Sequence, residues 1–180
     1  MKIKIISLFC LLNISAIYSI GQNKNTDTLA QTKPKPFLLP NSEILITPPA
    51  HFKYSEKING FIHPGTFSSI TVTYIDGTSF LQITEGLTSE YFTSQNTVLV
   101  SGEDVKTKSG MDGKLYLLSF SVTSTDTSKK VMQFERMMLF TGDYQRTIWI
   151  NASYPVLVKK LLYQVIKESL LSVEFTSKNE

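Results

Sequence analysis

The strongest pattern of apolar and polar positions runs from Val131 to Leu171. Met132, Phe134, Met138 and Phe140 share one face under period-two alternation, and Val131, Met137 and Leu139 share the other. After a Thr141-Gly142-Asp143 turn the chain returns through Ile148-Trp149-Ile150, where a strand with one wet face would carry a polar residue at Trp149. The pattern therefore predicts a hairpin of two strands in a sheet covered on both sides. Tyr154-Pro155 then opens a helical segment, because proline suits the first turn of a helix. Val158, Leu161, Leu162, Val165 and Ser169 recur at helical spacing, with Lys160, Gln164 and Lys167 opposite. An amphipathic helix of about four turns is expected, with Leu161 facing the sheet.

The rest of the chain is mostly β in pattern. Ile44-Leu45-Ile46 is a short strand stopped by Pro48-Pro49, which cannot donate ladder hydrogen bonds. Phe52, Phe61 and Ile62 fall in short extended pieces around Asn59-Gly60. Between Ser69 and Ile75, Ile70, Val72 and Tyr74 are expected inward and Ser69, Thr71 and Thr73 outward, with a turn at Asp76-Gly77. From Thr78 to Gln95 the strand pattern stops. Phe80, Leu81, Ile83 and Leu87 suggest short helical turns, and Thr88 fits the cap of a second one. Strands resume over Val98 to Val105 and Leu115 to Val122, separated by a turn at Ser109 to Gly113. Thr123 to Lys130 is polar and turns the chain into the central hairpin.

The start of the chain changes the charge argument. Lys2 and Lys4 precede an uncharged apolar run to Ile20, followed by Ser19-Ile20-Gly21 and a polar stretch, the layout of a secretory signal peptide cleaved before Gln22. The alternative, an N-terminal anchor, is disfavoured because the run falls short of the roughly 20 apolar residues of a span. Cys10 follows Phe9, a poor fit to a lipoprotein cysteine. Taking Lys2 and Lys4 from the 18 basic side chains leaves 16 against 15 acidic ones, so the net +3 becomes +1. The remaining lysines are dispersed and form no stripe for nucleic acid. Cys10 is the only cysteine, so the exported chain must fold without disulfides.

The expected organisation is a signal peptide over 1–21, a flexible polar linker over 22–36, a single α+β domain over 37–176 and a polar tail over 177–180. Asp27-Thr28-Leu29 in the linker resembles an O-glycan acceptor of some Bacteroidota. Asn151-Ala152-Ser153 fits the N-glycan pattern, which would matter only in a eukaryotic host.

The order of elements implies an α+β fold, an antiparallel β-sheet covered by helices on both faces, or α/β/α sandwich. Gly60-Phe61-Ile62, Ser69-Ile70-Thr71-Val72, Thr141-Gly142-Asp143 between long strands, and Tyr154-Pro155 before a last helix closing with Ser169-Leu170-Leu171-Ser172-Val173 give a distant resemblance to the PsbP/Mog1-like superfamily and its DcrB-like bacterial branch. It covers most of Asn41 to Phe175. The resemblance implies an accessory or binding module, usually without catalysis of its own, and carries no metal or partner site onto residues of this chain.

Chemistry is sparse in the same way. No thiol outside the export segment is available for catalysis or metal binding. Only His51 and His63 titrate near neutral pH. A hydrolase would use His63 with Ser68 or Ser69, and a metal-dependent enzyme would use the turn carboxylates Glu103, Asp104 and Asp112. The expected reading is a non-catalytic exported module with no cofactor, whose partner is a protein or envelope component, with no nucleic acid and no membrane span after cleavage.

The residues singled out for binding are Arg136 and Trp149, with His63 and Asp112 as weaker candidates. Arg136 is the one charge on the face shared by Met132, Phe134, Met138 and Phe140. A three-residue loop at Thr141 to Asp143 would set it opposite Ile148. A two-residue Gly142-Asp143 turn would set it opposite Trp149, where the guanidinium could stack on the indole. Under either register it is expected to take a carboxylate partner or reach a groove, as an internal ion pair or as a ligand anchor.

Overall fold

The computed structural model describes residues 34–124 and 129–176. The signal peptide, most of the linker, its Asp27-Thr28-Leu29 acceptor and the polar tail fall outside the described residues. The first half of the chain forms strands β1 (Phe37–Leu38), β2 (Ile44–Ile46), β3 (Lys53–Ser55), β4 (Gly60–His63) and β5 (Ser68–Asp76). Helices α1 (Phe80–Thr84) and α2 (Ser89–Ser94) follow. Then come β6 (Val98–Lys106), β7 (Asp112–Thr123), β8 (Val131–Gly142), β9 (Arg146–Pro155), helix α3 (Lys159–Leu170) and β10 (Glu174–Phe175).

Seven strands make one antiparallel sheet in the order β3-β4-β5-β9-β8-β7-β6, and β1-β2-β10 make a second of three strands. The β7–β8 pair is the spine, running without a register break from Gly113 opposite Thr141 to Thr123 opposite Val131. Gly60 lets β4 approach β5: a Cβ there would lie 2.0 Å from the Ile70 carbonyl oxygen.

The two faces of the large sheet bury different sets. On one, Leu115, Leu117, Met137, Leu139, Ile148, Ile150, Ala152 and Tyr154 meet Leu162, Ile166 and Leu170 of α3 and Ile44 and Ile46 of the small sheet. On the other, Tyr116, Leu118, Met138 and Phe140 meet Phe80 of α1 and Phe92 of α2, with Trp149 beside them. Both short helices are capped at their first residue. The Gln82 N–H donates to Ser79 Oγ and the Tyr91 N–H to Thr88 Oγ1.

This architecture overturns the expected α/β/α sandwich with helices covering both faces. The protein is mostly antiparallel β. Among the described residues only α3 exceeds two turns, and the face beneath it is shared with the three-stranded sheet. Helices α1 and α2 have five and six residues and cover only part of the opposite face. A helix of one or two turns cannot roof strands of ten and twelve residues, which are about 33 to 40 Å long.

Several local expectations also fail. Pro155 ends β9 opposite Phe134 instead of opening the helix, and a 3₁₀ turn over Val156–Val158 precedes α3. Leu161 points away from the sheet at 74% exposure, while Leu162, Ile166, Ser169 and Leu170 are buried. The hairpin register differs from both alternatives. Gly142 pairs with Thr147, so Asp143 to Arg146 form a four-residue connection and Arg136 lies opposite Ser153. The Asp143 carboxylate closes the turn by accepting from the N–H groups of Gln145 and Arg146 at 3.0 and 2.8 Å. Gly142 sits at φ 146°, and a Cβ there would lie 2.0 Å from the Arg146 carbonyl oxygen.

Candidate functional site

Beyond the reach of α1 and α2, the second face of the sheet continues as a partly open surface centred on Arg136. β7, β8 and β9 bring it together. Leu118 and Ser153 flank Arg136 across the strands, Phe120 is paired with Phe134, and Met138 with Asn151. The Arg136 guanidinium lies 4.7 Å from the Phe120 ring centre, and its Nε–H donates to Ser153 Oγ at 3.3 Å. Phe120 is stacked on Phe134 at 5.6 Å. The cation thus lies over one ring of a stacked aromatic pair, half-buried. Next along β9, the side-chain amide oxygen of Asn151 is buried with no hydrogen-bond partner among the described residues. A buried acceptor of this kind carries a desolvation cost unless something donates to it.

Trp149 is on the same face but does not meet Arg136. It pairs with Phe140, four residues along β8, and stacks on that ring at 5.7 Å with the planes 4° apart. The guanidinium–indole stack that a two-residue turn would have allowed does not form, and Arg136 lies on Phe120, because the register places Ser153 opposite it. Trp149 belongs instead to the cluster under the short helices.

His63 and Ser68 are opposite each other across β4 and β5. Their polar atoms are turned to other partners. His63 Nδ1 accepts from the Gly65 N–H at 3.2 Å, while the buried Ser68 hydroxyl accepts from Thr66 Oγ1 at 2.9 Å and donates to the Thr66 carbonyl at 3.2 Å. The His63 ring lies against Phe52 at 5.3 Å and near His51 at 6.4 Å. Desolvation, and secondly the neighbouring imidazole, hold its pKa below the usual histidine value.

The turn carboxylates are each matched to a lysine. Asp112 pairs with Lys106, Asp104 with Lys114 at 3.2 Å and Glu103 with Lys167 at 2.7 Å. Among the described residues no three His, Cys, Asp or Glu side chains converge as a metal site. The depression lined by Gly102, Glu103, Asp104, Lys114 and Tyr116 holds about 140 Å³. Small-molecule pockets run to about 300–1,000 Å³.

A buried carboxylate escaped the sequence analysis. Glu135 sits under the start of α3, accepting from the Tyr154 hydroxyl at 2.8 Å and from Lys159 Nζ at 2.6 Å. Burial first, then the Glu135 hydrogen bond, raises the Tyr154 pKa far above its ordinary value. The tyrosine therefore stays a neutral donor. Glu135 falls on the α3 face of a mainly apolar strand, a signal that could have marked it for pairing.

No family model matches the chain, and no curated protein matches it. Among solved structures, a protein of Bacteroides thetaiotaomicron VPI-5482 is similar, with a TM-score of 0.53 and 14% identity over 83% of this chain and 51% of that one. The chain therefore spans about half the length of that neighbour. At this identity the likeness shows the fold alone.

Proposed function

We propose that this protein is an exported, non-catalytic binding module that engages a protein or envelope component through the open part of its sheet around Arg136. The carrying observation is a half-buried guanidinium 4.7 Å from the ring centre of Phe120, which is itself stacked on Phe134, beside the cluster that the short helices cover. Arginine on an aromatic platform is a common hot-spot chemistry at interfaces. The turn of the Ser68 hydroxyl and His63 Nδ1 to Thr66 and Gly65, and the pairing of Glu103, Asp104 and Asp112 with lysines, support a role without catalysis. Export rests on the basic and apolar start of the chain. The resemblance to the PsbP/Mog1-like superfamily favours the same class of accessory role.

The test is affinity purification of the chain from the envelope of its own host, with N-terminal sequencing of the recovered form. Recovery of a form starting at Gln22 with a stoichiometric partner supports the reading. A cytosolic form retaining Met1, or turnover of ester, peptide or glycoside substrates by the purified chain, counts against it.

A further inference from the structure

The strand registers collect several chain ends at one end of the large sheet. His63 at the end of β4 pairs with Ser68 at the start of β5, Ser69 with Ser153 near the end of β9, and Pro155 with Phe134. The β7–β8 hairpin projects further, to Thr123 opposite Val131. Large apolar side chains stand out here. Leu157, in the 3₁₀ turn after Pro155, is 94% exposed, and Leu161 follows one helical turn later. Phe67 before β5 is 61% exposed, Val131 60% and Met132 42%. Single exposed apolar residues are ordinary, but a group at one end of a fold marks a contact surface. Phe67 adds an independent sign, since its backbone sits at φ 51°, a left-handed conformation that a bulky residue rarely adopts. Glycine or asparagine would relieve that strain, yet the position presents a benzyl group to water.

Among the described residues the exposed charges picked out at this end are lysines. Lys129 and Lys130 precede β8, Lys160 adjoins Leu161, and Lys53 opposes Ile62 at the same end; all four are exposed. Glu135 is buried and already paired with Lys159. Among the described residues Asp76, Asp104, Asp112 and Asp143 lie toward the opposite end of their strands. The apolar side chains sit at the start of β8, in a turn and at a helix start, on separate elements. Exposed apolar side chains accompanied by lysines suit a fluid interface, in which the apolar groups enter and the ammonium groups stay at headgroup level.

We propose that this end of the protein docks onto the surface of a lipid bilayer carrying anionic headgroups, with Phe67, Met132, Leu157 and Leu161 entering the interface and Lys53, Lys129, Lys130 and Lys160 lying against the phosphates. The docking uses none of the side chains around Arg136 and stands apart from that reading. It is tested by co-sedimentation of the full chain, as purified from its own host, with phosphatidylcholine vesicles made with and without phosphatidylglycerol. Binding is expected only with phosphatidylglycerol and should fall roughly tenfold at high ionic strength. The double variant Leu157→Asp/Leu161→Asp should lose it while its thermal unfolding is unchanged, since both side chains are already exposed. Lys129→Glu/Lys130→Glu should weaken it. Any N-terminal segment is common to all variants, so undiminished binding by the leucine variant would overturn the proposal. So would equal binding to neutral vesicles, or none to either. A concentration-dependent dimer abolished by the leucine variant would instead assign this end to a second copy of the chain.

Discussion

The two faces of the large sheet solve the same problem to different degrees. The α3 face is roofed by one helix and a small sheet, and its buried carboxylate, Glu135, is satisfied by Tyr154 and Lys159. The opposite face is roofed only in part, and its half-buried Arg136 lies on Phe120 with Ser153 as acceptor. A roofed face must pair its polar groups internally, because burying an unpaired charge is costly. A partly covered face can keep an arginine half-buried, with part of the guanidinium within reach of water.

The contrast is broken most severely in the roofed core. Ile166→Ala should cost about 2–5 kcal/mol in denaturant unfolding, as a large-to-small change at a fully buried site. Leu161→Ala, five residues earlier on the same helix, should cost less than about 0.5 kcal/mol, as surface changes do. If the two costs are similar, the face assignment of α3 is wrong.

Glu135→Ala comes next, at about 1.5–3 kcal/mol, because it removes two hydrogen bonds to a charged group and strands the Tyr154 hydroxyl. The partly exposed Lys159 can reach water, which keeps the cost below that of a fully buried pair. Thermal unfolding of Glu135→Gln should recover part of the loss.

A smaller effect belongs to the β8–β9 turn. The Asp143 carboxyl is held below its usual value by the N–H of Gln145 first and by Arg146 second. A carboxylate with a lowered folded pKa adds stability that is present above the unfolded value near 3.8 and lost as pH falls through the folded one. Asp143→Asn should therefore cost about 0.2–1 kcal/mol at neutral pH, given its exposure, and flatten the acid decline of stability below pH 3.8. An unchanged acid profile would mean that the turn is held by its backbone alone.

Much of the strand framework was legible because period-two alternation over long strands is hard to mimic. The strand at Ile44 to Ile46, the spans of β5 to β8, and the Thr88 cap all follow the sequence pattern. The roof was not legible. Between Val156 and Leu171 apolar side chains cover more than one stripe of α3, so periodicity alone cannot choose between the Leu161 and Ile166 sides. Tertiary packing on Leu139, Ile150 and Tyr154 makes that choice. The register was missed because the turn was placed at Thr141 to Asp143, while the Asp143 carboxylate caps a turn reaching Arg146. With it went both partners considered for Arg136, Ile148 and Trp149. What the sequence did mark was the anomaly itself, one charge on an apolar strand face.

The central claim is that Arg136 serves recognition and not the integrity of the sheet. Arg136→Met, assayed by thermal unfolding and by the same affinity purification from the host envelope, tests it most directly. A folded variant is expected, destabilised by about 1–3 kcal/mol through loss of the Ser153 hydrogen bond and the Phe120 contact, that no longer recovers the partner. Unfolding of the variant, or undiminished recovery of the partner, would contradict it.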